Sequence, residues 1–141
     1  MNYYLPIISV IVANVFYHNI AKCQPTNANP FLSLTISYIV SACATFLLFC
    51  LNNGNFKADI VNLNWTSLFL GLAIVGIELG YILLYRNGWT ISTAALVANI
   101  TVAVLLLIIG FLIYKENISF YQILGTILCI SGLLLIKFKA S

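Results

Sequence analysis

Charge is what this sequence lacks most. Six lysines and arginines and three acidic residues amount to 6% of its 141 residues, against roughly 25% in a soluble domain. So few charges cannot cover a surface that faces water. With 62% of the residues hydrophobic, the solvent must be lipid and the chain an integral membrane protein. The net charge of +3 is dispersed, which excludes a nucleic-acid face or a polybasic lipid anchor. One histidine and four cysteines, Cys23, Cys43, Cys50 and Cys129, form neither a C-x-x-C pair nor a zinc-like spacing. The cysteines read as small packing residues in the reduced state. No cofactor or metal is expected. There is no G-x-S-x-G and no Walker loop, so an enzyme is not expected either. Residues 1–4 carry no lysine or arginine. The first apolar run therefore lacks the basic flank of a secretory signal and is read as a mature membrane helix.

What is present is a series of five apolar runs, at about 4–23, 30–51, 65–85, 92–114 and 119–138. Runs of about 20 to 23 residues span about 30–35 Å as helices, one bilayer crossing each. None alternates with the period of two that a membrane barrel strand needs. The expected fold is an all-α membrane protein, one domain of five transmembrane helices over residues 1–141. Polar turns separate the runs. Pro30 suits a first helical position, and Gly88 suits the end of the third run. Residues 52–59 hold the longest loop, with Lys57 and Asp59, and residues 61–65 can serve as a short interfacial lead-in. Tyr3, Tyr4, Trp65, Tyr85, Trp89, Tyr114, Phe120 and Tyr121 sit near run ends, as an aromatic belt requires.

Five crossings put the termini on opposite sides. Lys57 and Lys115 fall on the N-terminal side; Lys22, Arg86, Lys137 and Lys139 fall on the other. This slight bias favours a cytoplasmic C-terminus, and is small enough for both orientations to coexist. Two oppositely inserted copies would form an inverted-repeat dimer of the kind secondary transporters build by duplication.

Glu78 is the residue around which a function can be read. It lies near the middle of the third run, whereas the other acids, Asp59 and Glu116, lie outside the runs. An ionisable group near a bilayer midplane costs about 2.5–3.5 kcal/mol on insertion scales. By helical spacing Glu78, Tyr81, Ile82 and Tyr85 share a face. A carboxylate with two phenols suits an organic cation. It equally suits proton coupling, since proton and cation can compete for one carboxyl. The rival reading is a structural acid bonded to a neighbouring helix. Asn14, His18 and Lys22 follow one another at four-residue intervals on the first helix. They either line a water-filled cavity or place His18 at the headgroups with Lys22 snorkelling. Asn99 and Thr101 lie inside the fourth helix, where asparagine either lines a site or bonds across an interface. Gly76 and Gly80, and the stripe Gly125, Cys129 and Gly132, read as close-packing faces, within the chain or between protomers.

Residues 85–96, Tyr-Arg-Asn-Gly-Trp-Thr-Ile-Ser-Thr-Ala-Ala-Leu, resemble the link between the third and fourth helices of EamA-type members of the drug/metabolite transporter superfamily. Residues 114–119, Tyr-Lys-Glu-Asn-Ile-Ser, followed by Gln122, Gly125 and Gly132, are similar to that family's closing pattern. Lys22 and Pro30 stand where many members carry a lysine and a proline. The usual Trp-Gly before that lysine is absent, and the pattern is strongest from about Gly71 onward. Typical members carry two such five-helix domains, so the resemblance implies a single-domain form that works as a dimer and exports small metabolites or drugs. The four-helix small multidrug resistance proteins are cousins, but their acid lies in the first helix.

The sequence therefore predicts a proton-coupled efflux transporter of a small polar or cationic organic solute. It would work by alternating access as an antiparallel homodimer in a bacterial-type inner membrane. Glu78 would bind the proton or cation, and Tyr81, Tyr85, Asn14, His18 and Asn99 would line the cavity. Its partners would be solute, protons and lipid, not nucleic acid. The other class of reading is a non-transporting subunit or lipid-flippase component in which Glu78 is structural.

Overall fold

The structure, a computed structural model, describes residues 4–52 and 54–139, with side chains described as far as residue 135. Tyr3 and Asn53, and the side chains of Lys137 and Lys139, lie outside it. Six α-helices follow in order: α1 (Leu5–Lys22), α2 (Pro30–Leu51), α3 (Phe56–Asp59), α4 (Trp65–Arg86), α5 (Ile91–Leu112) and α6 (Phe120–Lys139). Among the described residues there is no strand. α1, α2, α4 and α5 are long and apolar enough to cross a membrane. α1 is the least apolar, at a mean hydropathy of 1.3 against 2.7 for α5, because it carries Asn14, His18, Asn19 and Lys22. The described apolar stretch of α6, Phe120–Leu135, is shorter than these four.

Side chains set most helix starts. Asn29 accepts from the amides of Phe31 and Leu32 at 2.9 and 3.4 Å, with Pro30 in the first helical position. Asn64 and Thr90 cap α4 and α5. At α6 the Ser119 amide donates to Gln122 Oε1 at 2.7 Å, while Ser119 Oγ accepts from the Tyr121 amide at 3.4 Å. This is a reciprocal box that satisfies two otherwise orphan donors. Gly88 follows the end of α4 at φ +87°, a left-handed conformation that costs any residue with a Cβ. The short α3 and a single 3-10 turn (Ile60–Asn62) occupy the loop in which the sequence places a lead-in segment. Asn55 accepts from Ala58 N–H, and Asp59 reaches back to the Asn55 amide at 3.0 Å.

The chain divides into two compact units, Met1–Asn87 and Gly88–Ser141. In the first, α4 packs against both α1 and α2; in the second, α5 packs against α6. Hydroxyls within the apolar helices bond their own backbone. Thr35, Thr45, Thr101 and Thr126 each donate to the carbonyl four residues back at 2.7–2.9 Å. Backbone and hydroxyl groups satisfied inside one helix are what a hydrocarbon solvent demands. Thr101 thus needs no partner from another helix.

Two expectations are corrected. Among the described residues the G-x-x-x-G pair packs against no other helix, because a Cβ at Gly76 or Gly80 would meet nothing within 4 Å. The same holds at Gly125 and Gly132. All four cysteines are free but exposed, so they fill no interior space. Hydropathy that runs right round a helix gives no sign of which face turns to protein and which to lipid.

Candidate functional site

The interior of the first unit mixes aliphatic, aromatic and polar side chains. Its buried residues are His18 and Ala21 from α1, Leu34 from α2, and Ile82 and Tyr85 from α4. The face of α4 read from the sequence is therefore the packed face: Ile82 and Tyr85 are buried, and Glu78 and Tyr81 half-buried. Tyr85 is not part of an interfacial belt. At 5% exposure it points into the unit, whereas Tyr4, Trp65, Trp89, Tyr114, Phe120 and Tyr121 are exposed.

His18 and Tyr85 meet across α1 and α4. The Tyr85 hydroxyl lies 2.9 Å from His18 Nδ1, and which group donates depends on the imidazole tautomer. Tyr81 packs edge-on to the His18 ring at 4.8 Å and stacks on Tyr85 at 6.1 Å. Tyr17 stands edge-on to both His18 and Tyr81, at 5.2 and 5.9 Å. Such ring pairs are worth about 0.5–1.5 kcal/mol each beyond the area they bury. Lys22 Nζ reaches the Tyr85 carbonyl at 3.4 Å and lies 5.6 Å above its ring. Arg86 Nη2 donates to the carbonyls of Pro25 and Ala28 at 3.1 and 2.6 Å. These two cations tie the α1–α2 turn to the end of α4.

Beside this cluster lies a groove of about 150 Å³, lined by Tyr17, Ile20, Ala21 and Gln24, by Leu34 and Ser37 of α2, and by Glu78 and Ile82 of α4. Tyr17 belongs to both the ring cluster and the groove, and it feels the Glu78 carboxylate. Tyr38 of α2 approaches the same carboxylate, although its hydroxyl reaches no partner at full hydrogen-bond geometry. The lining runs from Gln24, just beyond α1, to Glu78. That carboxylate stands eight residues, about 12 Å, inside the end of α4. Five buried polar atoms of this unit have no hydrogen-bond partner among the described residues: Tyr17 Oη, His18 Nε2, Gln24 Oε1, Tyr38 Oη and Arg86 Nε. Unsatisfied buried groups of this kind cost about 1–3 kcal/mol each and are rare enough to need a reason.

Of the residues singled out in the sequence, His18, Tyr81 and Tyr85 come together in the ring cluster, and Glu78 lines the groove beside it. Asn14 is exposed on α1 and is not among the groove's lining residues. Asn99 belongs to the second unit, in a hollow of about 390 Å³ between α5 and α6, shared with Gln122, Gly125, Thr126 and Cys129. Sequence reasoning missed Tyr17, Gln24 and Tyr38. They sit on or beside other helices, and only the packing of α1 and α2 on α4 turns them toward Glu78. Among the described residues no group of histidines, cysteines and acids is placed to hold a metal.

The sequence model of the EamA-like transporter family matches residues 1–138. No curated protein and no solved structure gives a significant match.

Proposed function

Because this chain belongs to the EamA-like transporter family and is a multi-pass membrane transporter of the drug/metabolite transporter superfamily, we propose that it exports a small polar or cationic organic solute in exchange for protons. The observation that carries this reading is Glu78. An intramembrane acid is functional by default, and this one sits half-buried in a groove that also carries Tyr17, Gln24 and Ser37 and whose lining leads to a helix end. A carboxyl so placed takes a proton or a cation, but not both at once. Competition between them is enough to couple two fluxes. His18, Tyr81 and Tyr85 hold the wall of the groove through Tyr17.

The working unit in this proposal has five crossings, with α6 as the fifth, and is an antiparallel homodimer in a bacterial-type inner membrane. Open faces at Gly76, Gly80, Gly125 and Gly132 supply surface for a second copy. The groove is smaller than the 300–1,000 Å³ usual for drug-sized ligands, which also favours a transport path completed by a partner. Asn99, in its own hollow, and Asn14 are assigned to that wider path.

The test is transport in liposomes. Glu78→Gln keeps the size of the side chain and removes its charge, so the variant assembles normally and loses proton-driven flux by at least about 100-fold, the range seen when a proton-transfer group is removed. Undiminished flux in that variant would sink the reading.

A further inference from the structure

One end of the groove is covered by the chain itself. The outermost lining residue on that side is Gln24, in the link between α1 and α2, residues 23–29. Its Oε1 atom is buried. The link is folded as a tight turn in which the Ala28 amide donates to the Pro25 carbonyl at 3.2 Å. The turn then runs straight into the Asn29 cap of α2. A link so short moves only with the helix ends it joins, and these carry Ala21 and Leu34, both buried in the groove wall. What holds the turn is Arg86, at the last position of α4. Its Nη2 donates to the carbonyls of both Pro25 and Ala28, at 3.1 and 2.6 Å, so one nitrogen bridges the two ends of the turn. Lys22 has a different part. It stands on α1 and reaches the Tyr85 carbonyl at 3.4 Å, tying helix to helix and leaving the turn alone.

We propose that Arg86 is the latch of a gate: by holding the Pro25–Ala28 turn it closes the outer end of the groove, and its release opens the way from that side to Glu78. This deepens the transport reading and rests on it for its biological meaning, but the closure is a separate property of the fold. The latch is built to let go. Its bonds are charge-assisted, the stronger kind, yet both acceptors are neutral carbonyls. Arg86 Nε is buried with no hydrogen-bond partner among the described residues, so the closed arrangement leaves the guanidinium incompletely paired. Released at a helix end, where the bilayer meets water, it regains water on every N–H. An incomplete set of bonds against full hydration keeps the two arrangements close in free energy, as a switching element requires.

The test is the reactivity of a thiol placed in the groove. Ser37 lines it, about 10 Å along α2 from Pro30. Cys23, Cys43, Cys50 and Cys129 are exposed and are replaced by serine, leaving Ser37→Cys as the only thiol. A thiol reacts as its thiolate, so a water-soluble methanethiosulfonate labels it only where water reaches it, not where detergent covers α2. Labelling of the full chain in micelles, followed by intact mass, should be slow with Arg86 in place. It should be at least about ten-fold faster with Arg86→Gln, which loses two charge-assisted hydrogen bonds. Lys22→Gln should leave the rate unchanged. Arg86→Lys keeps the charge and the stem but ends one bond short of Nη2. It too should speed labelling, and it decides the question if Arg86→Gln does not fold, as judged by helix content in circular dichroism. Fast labelling with Arg86 in place, equal rates in the folded Arg86 variants, or the same acceleration from Lys22→Gln overturns the latch. If proton-driven flux depends on Glu78 while the Arg86 variants label no faster, the transport reading stands and the latch falls. If they label faster but flux survives Glu78→Gln, the latch stands and the coupling falls.

Discussion

At the scale of single residues, the contact that organises the first unit is the one between His18 and Tyr85. Both side chains are buried, and they lie on helices more than sixty residues apart in sequence. Tyr85→Phe removes only the hydroxyl and leaves Nδ1 of His18 without its partner. The expected loss is about 1–3 kcal/mol, the cost of stranding a buried polar group. It is measured as a drop in unfolding free energy in detergent. His18→Leu together with Tyr85→Phe should lose less than the sum of the two single variants, because no stranded group remains in the double variant. An additive result would mean that the contact carries no energy of its own. The sequence made Glu78 and its face on α4 legible, because an acid within an apolar run is conspicuous and helical spacing is rigid. It did not make Tyr17, Gln24 or Tyr38 legible. The hydropathy of Tyr17 and Tyr38 fits any face of a membrane helix, Gln24 reads only as part of the polar turn after α1, and their place beside the groove exists only after α1 and α2 are set against α4.

At the scale of elements, the helix limits were readable to within a residue or two because caps carry strong local chemistry. Asn29-Pro30 starts α2, and Gly88 follows α4, as read from the sequence. The motif resemblance acquires a physical content here: Gln122 closes the capping box of Ser119. Its part in the pattern is to start α6, whatever else it does in the hollow it lines. The loop after α2 was only half legible. Its turn chemistry was plain, but the reciprocal bonding of Asn55 and Asp59 that makes α3 was not anticipated. Glycines differ by element too. Gly88→Ala should cost about 1–2 kcal/mol, because its φ of +87° is hostile to a Cβ. Gly71→Ala, inside α4 with nothing within 4 Å, should instead gain about 0.5–1 kcal/mol from helix propensity. Unfolding of both variants in the same detergent checks the sign of each change.

At the scale of the whole molecule, most of what is exposed is apolar: Leu68, for example, is 73% exposed and Leu128 64%. Lipid covers such surface at no cost, so exposure by itself does not mark an interface. Small residues with open space above them do allow close approach. In the proposed dimer the Gly76–Gly80 face of α4 is one such surface. Gly80→Leu should lower the dimer fraction at least about five-fold by light scattering or single-molecule counting, while the helix content of the chain stays constant. A dimer fraction equal to that of the wild type would move the interface elsewhere.

The chain has one histidine, and the fold buries it against Tyr17, Tyr81 and Tyr85, beside the Glu78 groove. Isotope labelling of histidine alone would therefore yield a single pair of imidazole nitrogen resonances, assigned without mutagenesis. One of those nitrogens is in contact with the Tyr85 hydroxyl, and the other has no hydrogen-bond partner among the described residues. The spectrum of one residue thus becomes a direct view of the interior of the unit, with no other ring of its kind to obscure it.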